Sequence, residues 1–246
     1  MKNSSLYISL VALVASIAAL IMSFGASKTV APQQQGMSVE ETLNNNPEII
    51  VNAMNRYEQK LREQALADAQ KMLADNLDAI NNDPNSPIIG NPDGEITLVE
   101  FFDFSCGFCH RLYPALKNII AKNPDVKVVV KSLDFVSPDS KYAARAALAA
   151  GEQGKYAEMY DALFQLQGPM NQAAVDAAAQ GLGLDMEKYK ADVNSDKINN
   201  IIASYHDLAG KIQVNGVPAM ILEGQMLQTI DENVIQANID EIKAAK

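Results

Sequence analysis

The chain contains two cysteines, Cys106 and Cys109, and two histidines, His110 and His206; three of the four fall within FFDFSCGFCH, residues 101–110. A Cys-x-x-Cys-His string supports two covalent chemistries, attachment of a c-type haem or a redox-active dithiol. Haem would need both thiols on one macrocycle edge, His110 on the iron, a second axial ligand and an apolar pocket. The ten methionines are scattered, and the motif follows an apolar run instead of opening an all-helical chain. A structural zinc site needs paired ligands at short spacing, and His206 lies far from the cysteines. The dithiol reading therefore requires neither metal nor organic cofactor. A bridge between cysteines three residues apart closes a very small loop and restrains little of the unfolded chain, so it is better placed to react than to brace.

The elements around the motif decide how its two thiols differ. ITLVEFFDF, residues 96–104, reads as a buried strand, and VKVVVKSLDF, residues 126–135, as a second. Between them Cys109, Leu112, Leu116, Ile119 and Ile120 mark the apolar face of a helix, so the three elements form a βαβ unit with parallel strands. Cys106, at the strand-to-helix junction, faces unpaired backbone N–H groups and the positive end of the helix dipole, which favour a thiolate and make it the expected nucleophile. Cys109, one turn further in, is the expected resolving thiol. Gly107 and Phe108 separate them and would border a substrate. Glu100 falls on the inward strand face with Ile96, Leu98 and Phe102, where burial raises a carboxyl pKa. It either pairs with a cation such as Lys131 on the neighbouring strand or relays the proton of Cys109, and the two roles are compatible. His110 is a surface residue or an electrostatic neighbour of the dithiol, and Lys131 a second candidate for electrostatic tuning. His206 reads as a helix-flank side chain.

Residues 1–27, MKNSSLYISLVALVASIAALIMSFGAS, have a lysine followed by a long uncharged run, the pattern of an export signal or, at this length, a signal anchor. Residues 28–37 read as a linker. Residues 38–81 are helical in pattern, with Ser38 and Glu41 as a capping box and Pro47 in the first turn of a second helix. Ile50, Met54, Tyr57 and Leu61 form an apolar stripe, and Leu66, Leu73, Leu77 and Ile80 resume it out of phase; the expected role is homo-oligomerisation as a dimer or trimer, with docking on the same chain as the alternative. Residues 82–95, rich in Asn, Asp, Pro and Gly, read as another linker. Beyond the βαβ unit the pattern is helical from Ser137 to Gly210, followed by a strand from Ala219 to Leu222, a hairpin at Glu223 and Gly224, a strand from Gln225 to Ile230, and a final helix capped by Asp231.

A formal net charge of −10 over 246 residues, without a basic stripe, argues against a nucleic-acid partner. LVEFFDFSCGFCH, the intervening helical segment and the late GVPA resemble the DsbA-like thiol:disulfide oxidoreductases of the bacterial cell envelope, from about Ser86 to Lys246. The N-terminal extension is most similar to the branch that includes the ScsC-type proteins. The resemblance implies an α/β thioredoxin fold over residues 96–246 with an all-helical insertion at about 138–212. It places the family's attacking and resolving cysteines on Cys106 and Cys109, its buried acid on Glu100 and its cis-proline on Pro218, with the Val217 backbone turned toward substrate. It further implies a periplasmic or envelope location, exported cysteine-containing substrates, a membrane oxidant or reductant as partner, and an inner-membrane tether if the signal is retained. The Gly-Phe dipeptide is more like that of DsbC-type isomerases, whereas valine before the proline is more like the oxidases. The competing class is an envelope or surface binding protein with a vestigial cysteine pair.

Overall fold

The computed structural model describes residues 38–245, so the expected signal and the linker at 28–37 lie outside the described residues. The chain divides into two compact units, one ending at Gln59 and one beginning at Lys60. Helix α1 spans Val39–Asn45, and the Ser38 hydroxyl caps it by accepting the Glu41 N–H at 3.0 Å. Helix α2 follows at Glu48–Asp75 and short helix α3 at Leu77–Asn81. The apolar stripe of this region divides in two. Ile50, Met54, Tyr57, Leu61 and Leu66 are exposed, whereas Leu73 and Ile80 are buried in the core of their own chain. The stripe before the phase slip is thus uncovered throughout, whereas beyond it Leu66 and Leu77 are exposed and Leu73 and Ile80 are docked. Among the described residues no helix is long and apolar enough to cross a membrane.

Five strands form one mixed sheet: β1 (Ile88–Gly90), β2 (Ile96–Phe102), β3 (Val126–Ser132), β4 (Ala219–Leu222) and β5 (Gln225–Leu227), in the order β1-β3-β2-β4-β5. Central β2 is parallel to β3 and antiparallel to β4, and every residue of it is buried, which explains its nearly continuous apolar run. Helix α4 (Gly107–Lys122) makes the crossover from β2 to β3 and buries Cys109, Leu112, Leu116 and Ile119. Five helices then intervene before β4: α5 (Ser140–Gly151), α6 (Tyr156–Phe164), α7 (Gln172–Gly181), α8 (Met186–Val193) and α9 (Asp196–Lys211). Final helix α10 (Glu232–Ala245) is capped by the Asp231 carboxylate, which accepts the Asn233 and Val234 N–H groups at 2.9 and 3.3 Å. This is the expected thioredoxin-type fold with an all-helical insertion and a helical N-terminal extension.

Two expectations are corrected. Residues 82–95 are not simply a linker: Ile88–Gly90 pair antiparallel with β3 as an edge strand, too short for its alternation to register in the sequence. The last strand ends at Leu227 and not at Ile230, beyond a tight turn in which Glu223 and Gly224 both have positive φ, at 47° and 79°.

The former linker also carries the counterion of a buried cation. Lys131 on β3 is fully buried; its Nζ donates to Ser86 Oγ at 2.6 Å and to Asp83 Oδ2 at 3.3 Å, and lies 5.1 Å from the centre of the Tyr205 ring. Burial pulls the Lys131 pKa down, while the Asp83 charge opposes that shift. Removing only the counterion strands a buried ammonium, so Asp83→Ala is expected to cost about 3–5 kcal/mol. Lys131→Met removes the charge while keeping the apolar stem and is expected to cost much less. Urea unfolding midpoints of the two variants check this order.

Candidate active site

The turn leaving β2 is built around a buried carboxylate. Asp103 Oδ1 accepts the Ser105 N–H at 2.8 Å and the Ser140 hydroxyl at 2.7 Å, while Oδ2 accepts the Val136 N–H at 2.9 Å. Its backbone carbonyl accepts the Cys106 N–H at 2.9 Å. One residue thereby fixes the strand exit, the loop after β3 and the start of α5. Cys106 takes the N-cap position of α4, where its Sγ accepts the Cys109 N–H at 3.4 Å.

The dithiol is asymmetric. Cys106 is 6% exposed and its Sγ donates toward the Val217 carbonyl at 3.3 Å, whereas Cys109 is 0% exposed. Burial pushes the Cys109 thiol well up; the Asp103 backbone N–H opposes this, and the neighbouring Cys106 and the charge of Glu100 add to it. A haem edge could not reach a sulfur sealed in the core in this way. The Val217–Pro218 peptide is cis. Beside it runs an open groove lined by Phe108, Val217, Pro218, Leu227, Thr229 and Ile230. Phe108 is 57% exposed and carries the Arg111 guanidinium 3.9 Å from its ring centre. A Cβ added at Gly107 would meet nothing within 4 Å, so the space before Phe108 is open.

Beneath the dithiol lies Glu100, fully buried. The Tyr160 hydroxyl donates to its Oε2 at 2.9 Å, and Oε1 has no hydrogen-bond partner. Burial raises its pKa to about 7, with the Tyr160 hydrogen bond opposing the shift. Pairing with Lys131 does not occur. In the β2–β3 register Glu100 lies opposite Val130 and Lys131 opposite Phe101, so acid and cation point to opposite faces of the sheet. Lys131 therefore belongs to the Asp83 cluster and not to the dithiol. His110 is tied to the strand exit, its Nε2 donating to the Phe104 carbonyl at 2.8 Å while its ring meets Phe164 edge-on at 5.1 Å. His206 pairs with Asp134 at 2.7 Å, consistent with a helix-flank position.

Two residues that position the site escaped the sequence reading. Asp103 had a local signal, since an Asp two residues before a Ser at a strand exit suits a side-chain-to-backbone turn. Tyr160 was legible only as a member of an apolar helical stripe, because its hydroxyl partner is 60 residues away in the chain.

A central strand that delivers a capped thiol and a sealed thiol beside a cis-proline defines a thioredoxin-type dithiol site with a helical insertion. The chain belongs to the DSBA-like thioredoxin domain family, whose model matches residues 97–238, more than half of its length. Among solved structures, it is similar to a thioredoxin-like oxidoreductase from Silicibacter pomeroyi, with 34% identity and a TM-score of 0.65 over 69% of this chain and 98% of that one. It is also similar to ScsC from Proteus mirabilis in a transitional conformation, with 28% identity and a TM-score of 0.66 over 85% and 94% of the respective chains. The curated protein "Na(+)/H(+) antiporter NhaA 1" of Salinispora arenicola is 30% identical over 146 residues, 58% of this chain and 22% of that protein. The chain thus spans about a quarter or less of the curated relatives it matches.

Proposed function

We propose that the protein exchanges disulfides with exported, cysteine-containing proteins through Cys106 and Cys109. The observation that carries this reading is the asymmetry of the pair: one sulfur at a helix cap against the Val217 carbonyl, the other sealed beside a buried acid. A substrate thiolate attacks Cys106 of the oxidised pair, forming a Cys106–substrate disulfide and breaking the Cys106–Cys109 bond. The electron pair leaves on Cys109, which burial makes a poor thiolate, and protonated Glu100 supplies its proton. In reverse, Glu100 takes the Cys109 proton, the new thiolate attacks Cys106, and substrate departs as a thiolate. A carboxyl with a pKa of about 7 can perform either task near neutrality. Val217, with its carbonyl at the reacting sulfur, and the exposed Phe108 border the path by which an extended substrate segment would reach Cys106.

An envelope location and a membrane redox partner belong to this reading, and membership of the DSBA-like family supports them. Thiol trapping in the native cells, by acid quench and alkylation, tests the direction of electron flow. A pair held mainly as the disulfide means that an oxidant keeps it charged as a disulfide donor, and a pair held mainly as the dithiol means that a reductant keeps it ready for isomerisation or reduction. An unchanged oxidation rate of a reduced, unfolded substrate on adding the protein would refute the exchange reading. The exposed stripe on α2 supports a homo-oligomer, and an assembly that brings several dithiols around one substrate suits reshuffling. Met54→Lys combined with Tyr57→Glu interrupts that stripe at its centre without touching the core, and light scattering is expected to show the mass falling to that of one chain.

A further inference from the structure

We propose that Tyr160, supplied by the helical insertion, is a positioning residue for the proton transfer at Cys109: its hydroxyl holds one oxygen of Glu100 and leaves the other free to exchange the Cys109 proton. The inference rests on the disulfide-exchange reading and adds to it a residue from outside the thioredoxin core.

The geometry of three elements carries it. Glu100 comes from β2, Cys109 from α4 and Tyr160 from α6. The Tyr160 ring is fully buried, with ring centres at 5.3 Å from Phe102, 4.7 Å from Phe164 and 6.0 Å from both Phe104 and Tyr113. A ring packed on four sides cannot swing, so its hydroxyl has a fixed address, and that address is Glu100 Oε2 at 2.9 Å. Glu100 Oε1 is buried without a partner. The titratable groups that share an electrostatic interaction with Glu100 are Cys109 from α4 and Tyr156 and Tyr160 from α6, while Lys131 of β3 points to the opposite face. The Tyr156 hydroxyl is itself buried without a partner. Among the described residues, then, the carboxylate is steadied by one neutral donor and by no cation.

That arrangement has a chemical consequence. A cation beside Glu100 would hold it ionised and unable to hand a proton to departing Cys109, whereas an acid with no donor would hold its own proton too tightly to ionise and so to take up that of Cys109. A single phenol hydroxyl lies between these limits. The helical insertion therefore sets the proton affinity of a group that serves the dithiol.

The test uses the full chain, carrying a Cys106 mixed disulfide with glutathione, and follows release of glutathione by Cys109 between pH 5 and 9. Tyr160→Phe keeps the ring and removes the donor. It is expected to move the midpoint of the pH–rate profile to higher pH, lowering the rate roughly tenfold per unit of displacement on the acid side and leaving the alkaline plateau unchanged. Alkylation of Cys106 in the reduced protein is expected to proceed at the parent rate. In a Glu100→Gln background the same substitution is expected to have no effect on the profile. Replacing Tyr160 with 3-fluorotyrosine, a stronger donor of nearly the same shape, is expected to move the midpoint the other way, which keeps the test open if the phenylalanine variant folds poorly. An unmoved midpoint in both variants, a lowered plateau without displacement, or an equal effect in the Glu100→Gln background overturns the proposal. A parent protein that never releases glutathione through Cys109 overturns the exchange reading and the proposal with it, and that signature is distinct from an unmoved midpoint.

Discussion

Cys106→Ala is expected to bring disulfide exchange down to the background rate of free thiols, while Cys109→Ala is expected to leave the first attack intact and to accumulate mixed disulfides with substrate. The two substitutions remove chemically similar groups, so the contrast must come from placement. Cys106 lies at the cap of α4 with its sulfur 3.3 Å from the carbonyl of Val217, a residue that lines the open groove. No other sulfur in the chain can take its place, because Cys109 is fully buried and its thiol is held protonated. Cys109, in turn, acts only on a bond already made to Cys106. It does so as an intramolecular nucleophile one helical turn away, and removing it turns resolution into a bimolecular reaction with external thiol. The loss of that proximity is expected to slow release by on the order of 10³-fold or more. Non-reducing gels of extracts from the native cells, with and without added thiol, check both halves of the prediction. Full exchange activity in Cys106→Ala would sink the mechanism.

The same contrast shows what a sequence can carry. Cys106 and Cys109 were legible because both the spacing and the strand-to-helix transition are local, and local patterns survive in one dimension. Glu100 was legible as a buried acid from strand alternation alone. Its partner was not. Lys131 was a reasonable counterion on the neighbouring strand, but the register puts it level with Phe101, and a shift of one residue exchanges the two faces of a strand. The true donor, Tyr160, and the true counterion of Lys131, Asp83, come from segments read as apolar packing and as linker. Such pairings depend on how helices dock on the sheet, which hydrophobic periodicity cannot specify. The exposed stripe on α2 is the converse case: its apolar residues were plain in the sequence, yet only burial distinguishes Leu66, left uncovered, from Leu73, packed into the core.

Glu100 also makes the stability of the protein depend on pH in a direction opposite to that of most carboxylates. An acid paired with a cation usually has a lowered pKa in the folded state and stabilises the fold above the acid range. Here burial raises it, from an ordinary 4.5 to about 7, so the folded protein binds a proton that the unfolded chain has released. Stability from this site is fully present below pH 4.5 and is lost as pH rises through 7, a change of about 3 kcal/mol. Glu100→Gln keeps the shape and an acceptor for Tyr160 but cannot ionise. With both cysteines reduced, the stability of the variant relative to the parent is expected to rise by about 3 kcal/mol between pH 4.5 and pH 8, whatever constant cost the buried amide brings. Urea unfolding at several pH values measures this difference, and parallel curves for variant and parent would show that the carboxyl does not titrate in the folded state. On the proposed mechanism, a group that costs stability at neutral pH is retained for its proton chemistry. A carboxyl that half-ionises near neutrality can both give and accept the Cys109 proton, and a leucine in its place could do neither.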